Sequence, residues 1–137
     1  MKYLVMVQGT QADYDTQAGK PTAGAPVWSK EDIQAMYEHM GAINNDLSET
    51  GEFIDAQGLA EPAQTRLVAK GPDGKPVITD GPYGETKEVI AGYWLLECAS
   101  LERVTEIAER VISCPVPKGA NEYPVVIRPV GDGGGDC

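Results

Sequence analysis

Positive charge is scarce in this sequence of 137 residues. It has 11 lysines and arginines against 21 aspartates and glutamates, which gives a formal net charge of -10. A protein that follows a phosphate backbone needs a local basic cluster, and none stands out, so we exclude general nucleic-acid binding. The one histidine, His39, has no cysteine or carboxylate at ligand spacing, so the sequence predicts no metal site and no cofactor.

Long apolar runs and paired cysteines are also missing. The apolar run from Tyr3 to Val7 ends at Gln8, which is too short for a signal-peptide core or a bilayer span, so we expect a cytoplasmic protein with no membrane partner. Three cysteines without CxxC spacing predict reduced thiols rather than disulfides. They are Cys98, Cys114 and Cys137.

The apolar residues that are present make up 42% of the chain, enough for the core of one domain. We place this domain at residues 1–130 and predict that the Gly- and Asp-rich tail, 131–137, is disordered. Residues 9–26 lack an apolar pattern and predict a long loop, which is either a lid or an ordinary insertion.

The remaining pattern predicts two helices and at least four strands. Ser29 is suited to begin the first helix and Gly51 to end it, while Ser100 is suited to begin the second. The predicted strands cover 2–7, 53–59, 65–69, 77–79, 89–98 and 123–130, with a hairpin turn at 71–76.

This order of elements, β-α-β-β-α-β with a hairpin elaboration, is typical of a ferredoxin-like α+β sandwich. Two helices cover only one face of the sheet, yet strands 3–7, 93–96 and 125–127 carry apolar residues on both faces. We therefore predict a homodimer with its sheets packed face to face. The alternative is that short central strands carry consecutive apolar residues without a partner.

The densest polar stretch runs from Thr79 to Glu88, between two predicted strands. Its Asp-Gly-Pro sequence is typical of a well-made turn, so the stretch is either a folding device or a site. In a partly dry site, burial would raise the pKa of Asp80 or Glu88 for proton transfer, and Lys87 would stabilise an anionic intermediate. Tyr83 and Trp94 would supply stacking surface.

This stretch, followed by Ile-Ala-Gly-Tyr-Trp at 90–94, resembles the signature of the YCII-related family. The likeness is to the branch named for an Asp-Gly-Pro-Phe motif, with Tyr83 in place of the phenylalanine, and it extends to residues 1–8, 51–61 and 128–130. The resemblance implies a dimeric α/β barrel built from ferredoxin-like halves. It also implies an enzyme site with a histidine–aspartate pair and an association with extracytoplasmic-function sigma factors. Asp80 matches the aspartate of the motif, while no histidine of this sequence matches the family pattern.

Two classes of function follow. The first is a small-molecule site in a homodimer cleft, for binding or for acid/base chemistry of the isomerase or lyase kind; the alternative is a non-enzymatic regulatory module that associates with a sigma factor. In a third interpretation, the polar stretch is only a folding device, and His39 lies on the flank of its helix. The candidate site residues are Asp80, Glu88 and His39 as catalytic groups, and Gln57, Tyr83, Glu85, Lys87 and Trp94 as substrate-binding groups.

Overall fold

The computed structural model describes residues 1–80 and 87–131 of an α+β protein. Predictions for Tyr83, Glu85 and the tail beyond residue 131 lie outside these residues. None of the described helices is both long and apolar enough to span a bilayer. The elements are β1 (Lys2–Gly9), α1 (Gln11–Gln17), α2 (Lys30–Thr50), β2 (Phe53–Gly58), β3 (Arg66–Lys70), β4 (Pro76–Asp80), β5 (Val89–Glu97), α3 (Leu101–Ile112) and β6 (Val126–Pro129), with a 3-10 turn at Pro62–Gln64.

Four strands form the main sheet in the order β2-β5-β1-β6, and every neighbouring pair is antiparallel. Strands β3 and β4 pair separately as a two-stranded ribbon, which confirms the predicted hairpin. The last strand is shorter than predicted because β6 pairs with β1 only over Val126–Pro129, opposite Tyr3–Met6.

The core lies between α2, α3 and one face of the main sheet. Side chains alternate along β1, so Tyr3 and Val5 point into this core and Leu4 and Met6 lie on the opposite face. The buried apolar residues of the core are Tyr3, Val5, Ile43, Leu47, Trp94, Leu96, Cys98, Val104, Ile107, Ala108 and Val111.

The two predicted helices begin where their caps indicate. The Ser29 hydroxyl accepts a hydrogen bond from the Asp32 N–H, and Ser100 accepts one from the Arg103 N–H. Gly51 ends α2 with a φ of 81°, a left-handed conformation that glycine adopts without steric cost. Ile43 and Leu47 are the fully buried apolar residues of α2, because the first half of this helix borders a cleft.

The prediction of a loop over residues 9–26 is wrong for its first half, where α1 forms. The helix is fixed by a capping box, in which the Thr10 hydroxyl accepts from the Asp13 N–H at 3.1 Å and the Asp13 carboxylate accepts from the Thr10 N–H at 2.8 Å. It is also anchored to the sheet, since the Tyr14 hydroxyl donates to the Leu59 carbonyl at 2.9 Å. Tertiary contacts therefore stabilise a helix that has no apolar stripe of its own.

Candidate functional site

A cleft of about 540 Å³ opens between the main sheet and the helices. This volume lies within the range that holds small ligands and cofactors. Helix α1 forms one wall, the first half of α2 forms another, and residues from Val111 to Val125 close the third side.

The body of the cleft is apolar. Met36 and Met40 from α2, Val111 and Ile112 from α3, and the Trp94 side of β5 line it. The Trp94 indole N–H donates to the Asn44 Oδ1 at 2.7 Å, so the one polar atom of that ring is satisfied. The surface left for a ligand in this part of the cleft is therefore hydrocarbon, sulfur and aromatic ring.

The polar end of the cleft is built around Asp13, the N3 residue of the α1 capping box. Its Oδ2 atom accepts from the Thr10 N–H at 2.8 Å, from the Thr10 hydroxyl at 3.0 Å and from the Tyr123 hydroxyl at 2.6 Å. Its Oδ1 atom accepts only a longer bond, from the Asn121 amide at 3.5 Å. This carboxylate thus joins α1 to the segment that precedes β6.

The tyrosine hydroxyls and the thiol that line this cleft are protonated at neutral pH. Burial, together with the hydrogen bond to Asp13 and the negative charges of Asp13 and Glu88, raises the pKa of Tyr123 to about 12. Burial alone raises the pKa of Tyr14 and of the Cys114 thiol. The two tyrosines therefore act as hydrogen-bond donors and not as bases.

Comparison with known proteins places the chain in a family. The family model described as the YCII-related domain matches residues 1–126. The chain belongs to the YCII-related family. An uncharacterized protein of Rhizobium meliloti (strain 1021) is 27% identical to this YCII-related chain over 103 residues, which cover 75% of the chain and 79% of that protein.

Two of the residues predicted for the site line the cleft of the YCII-related chain, Trp94 and Gln57. Trp94 is 6% exposed and forms part of the core. Gln57 lies on the edge strand β2, where its side-chain amide donates to the Asp55 carboxylate at 3.1 Å. Trp94 lies on the core side of the sheet, where the cleft opens, whereas the Gln57 side chain lies beside that of Asp55 on the opposite face. Substrate binding by these two residues stays a prediction.

The charged residues of the predicted site lie elsewhere. Asp80 ends β4 and accepts from Arg66 at 2.8 Å in an ion pair whose two side chains are 75% and 65% exposed. Lys87 and Glu88 are exposed immediately before β5. The negative charge of Glu88 nevertheless contributes to the raised pKa of Tyr123 at the polar end of the cleft. Of the two carboxylates in the predicted site that the structure describes, Glu88 is therefore the one whose charge contributes to the raised pKa of a cleft residue.

His39 lies on α2 and donates from Nε2 to the Arg110 carbonyl of α3 at 2.7 Å. Its hydrogen bond thus joins two helices, while Asp80 pairs with Arg66 in the ribbon. His39 and Asp80 were both predicted as catalytic groups, and in the structure each has a different hydrogen-bond partner. Across residues 1–80 and 87–131, no group of three or more His, Cys, Asp or Glu residues is arranged to hold a metal ion.

The sequence analysis missed Asp13, Tyr14 and Tyr123, which form the polar end of the cleft. One signal was available, since Thr10-x-x-Asp13 has the spacing of a capping box and predicts a helix start. Nothing comparable marks Tyr123, which lies 110 residues from Asp13 along the chain.

Proposed function

We propose that this YCII-related protein binds a small organic molecule in the cleft between its main sheet and its helices. The observation that supports the proposal is the lining: an apolar body beside Met36, Met40 and Trp94, and a polar end at Asp13 and Tyr123. Clefts with mostly apolar walls and a few convergent polar groups are the usual form of small-molecule sites.

Binding is better supported than acid/base catalysis. A general acid or base works best when its pKa lies near the working pH, whereas the pKa of Tyr123 is raised to about 12. Asp80, the predicted catalytic aspartate, is 75% exposed and paired with Arg66. We therefore assign the Asp13–Tyr123 pair to ligand positioning, and the sigma-factor alternative has no comparable support in the described contacts.

A fragment screen by two-dimensional NMR tests this proposal. Neutral aromatic fragments are expected to shift the amide signals of cleft residues such as Tyr14, Met40 and Trp94. Ala120→Trp narrows the cleft from its rim and should remove these shifts, while Ala99→Trp, on an exposed turn outside the cleft, should leave them. Shifts that persist in Ala120→Trp, or that map away from the cleft, would contradict the proposal.

We further propose that the main sheet with α2 and α3 on one face is a ferredoxin-like half of a dimeric α/β barrel. The strand order β2-β5-β1-β6 and the antiparallel pairing support this arrangement. The face of the sheet opposite the helices carries Leu4 and Met6 of β1 beside Tyr93 and Leu95 of β5. An apolar face of this kind is suited to a second copy of the chain.

The Asp-Gly-Pro-Tyr sequence at 80–83 supports the branch of the family that is named for the Asp-Gly-Pro-Phe motif.

The register of the strands favours one dimer geometry for the face of the sheet opposite the helices. One row across the sheet reads Asp55, Leu95, Leu4 and Arg128, because each residue pairs with the next on the neighbouring strand. A two-fold axis parallel to the strands would place this row on the reversed row of a second copy. Asp55 of each protomer would then face Arg128 of its partner, and Leu4 would face Leu95, so the surface is self-complementary in charge and polarity.

A further inference from the structure

We infer that the cleft takes a cationic ligand, an amine with an apolar or aromatic body, and that Asp13 receives its charge. This inference rests on the proposed function. The described lining includes two carboxylates, Asp13 and Glu122, and none of the lining residues is lysine, arginine or histidine. Stretches 81–86 and 132–137, which the structure does not describe, contain no basic residue in the sequence.

Within residues 1–80 and 87–131, no lysine, arginine or histidine forms an ion pair with Asp13. In the described part of the chain, the ion pairs within 4.0 Å engage other carboxylates, such as Glu52 with Arg103 and Asp46 with Arg110. The donors to Asp13 are instead a backbone N–H, two hydroxyls and one distant amide, all of them neutral. They orient the carboxylate but carry no formal positive charge, which a bound cation would supply.

The Asp13 carboxylate has hydrogen-bond acceptor capacity left for such a ligand. Oδ2 accepts three hydrogen bonds of 3.0 Å or less, whereas Oδ1 accepts one of 3.5 Å. An ammonium group carries three donors and would complete the acceptor capacity of Oδ1. Glu88 adds a further negative charge at this end of the cleft, where it contributes to the raised pKa of Tyr123.

Aromatic side chains along the cleft would assist a cation. Ring faces carry partial negative charge and attract ammonium groups within about 6 Å. An anionic ligand would instead meet two carboxylates in a protein of net charge -10. The aromatic side chains that line the cleft include those of Tyr14, Trp28, Tyr37, Trp94 and Tyr123.

Three probes with the same phenyl body test the charge preference: 2-phenylethylamine, 2-phenylethanol and 3-phenylpropionate, titrated into the full chain at pH 7 and followed by NMR shifts. We expect the amine to bind about tenfold more tightly than the alcohol, and the carboxylate to bind most weakly, as for a charge-assisted hydrogen bond. Added salt should reduce the preference for the amine.

Asp13→Asn should lower the affinity for the amine about tenfold and leave that for the alcohol unchanged. Asp32→Asn is a matched control, because Asp32 has the same capping-box position in α2 but does not line the cleft. It should change neither affinity. Should Asp13→Asn fail to fold, Glu122→Gln, at an exposed lining position, should still reduce the preference for the amine.

The possible failures are distinguishable. Carboxylate binding as tight as amine binding would overturn the charge inference and leave the cleft as a binding site. An unchanged amine affinity in folded Asp13→Asn would overturn the role of Asp13. Absence of any cleft shift with all three probes would contradict the proposed function and this inference together.

Discussion

Among the carboxyl groups that the structure describes, Glu52 has the most strongly shifted pKa. Arg103 donates to both of its oxygens, from Nε at 2.9 Å and from Nη2 at 2.8 Å, and the Thr50 hydroxyl donates at 2.7 Å. The hydrogen bonds from Arg103, ahead of that from Thr50, lower the pKa of Glu52 from 4.5 to about 2 although partial burial opposes the shift. The pair joins the start of β2 to the first turn of α3.

This pKa has a direct consequence for acid stability. Because the folded pKa is the lower one, the stabilisation is present above pH 4.5 and is lost as the pH falls from 4.5 towards 2. Glu52→Gln should therefore lower the free energy of unfolding by about 2 kcal/mol at pH 7 and flatten its decline below pH 4.5. Urea titrations at pH 7, 4 and 3 measure both effects. Glu97→Gln, at an exposed carboxylate, is the control, and parallel pH profiles for Glu52→Gln and the wild type would contradict this account.

Asp80, the predicted catalytic aspartate, is expected to contribute little to stability. Its ion pair with Arg66 is well exposed on both sides, and exposed pairs of this kind contribute at most about 1 kcal/mol. Asp80→Asn should therefore lower the thermal midpoint by no more than about 4 °C at equal protein concentration. A loss of about 8 °C or more would instead support the folding-device interpretation of the Asp-Gly-Pro stretch.

Among the elements, α1 is the one most dependent on its cap. It has seven residues, too few for a helix to persist in water by itself, and its capping box is the same device that begins the 21-residue α2. Thr10→Ala and Ser29→Ala should each cost about 1 kcal/mol. Hydrogen exchange should then accelerate throughout α1 in the first variant but only near the first turn of α2 in the second. Equal protection of α1 in Thr10→Ala and in the wild type would show that its tertiary anchors suffice.

How far the sequence predicted each element depended on its pattern. Helices α2 and α3 carry periodic apolar residues after clear N-caps, and strands β1 and β5 are nearly continuous apolar runs. All four were predicted with nearly correct bounds. Helix α1 was missed because its sequence, QADYDTQ, has no apolar stripe and is held by contacts with distant segments.

The candidate site was only partly predictable for a similar reason. Trp94 was predicted as a site residue because it follows the polar stretch at 79–88, in a strand that its apolar sequence predicts to be central. The Asp13–Tyr123 pair joins two segments 110 residues apart, and no local pattern connects them. Conversely, Asp80 attracted notice through local composition, whereas its exposure depends on the ribbon that carries it.

At the scale of the whole molecule, the proposed dimer makes a reciprocal prediction. If Asp55 faces Arg128 of a second copy, Asp55→Arg and Arg128→Asp should each weaken dimerisation about tenfold or more by placing like charges together. The double variant should recover much of the loss, because the pair is restored in reverse. Light scattering across a dilution series measures the oligomeric state. Two weak single variants without recovery in the double variant would exclude this two-fold axis, and a wild-type monomer would exclude the dimer.

Of the two central strands of the main sheet, β1 precedes the other strands along the chain and is the last to be paired on both sides. Strand β1 is flanked by β5 and β6, so the sheet cannot close until the chain has been made as far as Pro129. At roughly 5–20 residues per second, the apolar β1 waits on the order of ten seconds on the ribosome for its neighbours. An unpaired apolar strand can aggregate or pair wrongly before its neighbours are made. The folding yield of this protein should therefore depend on ribosome-associated chaperones more than is usual for a chain of its size.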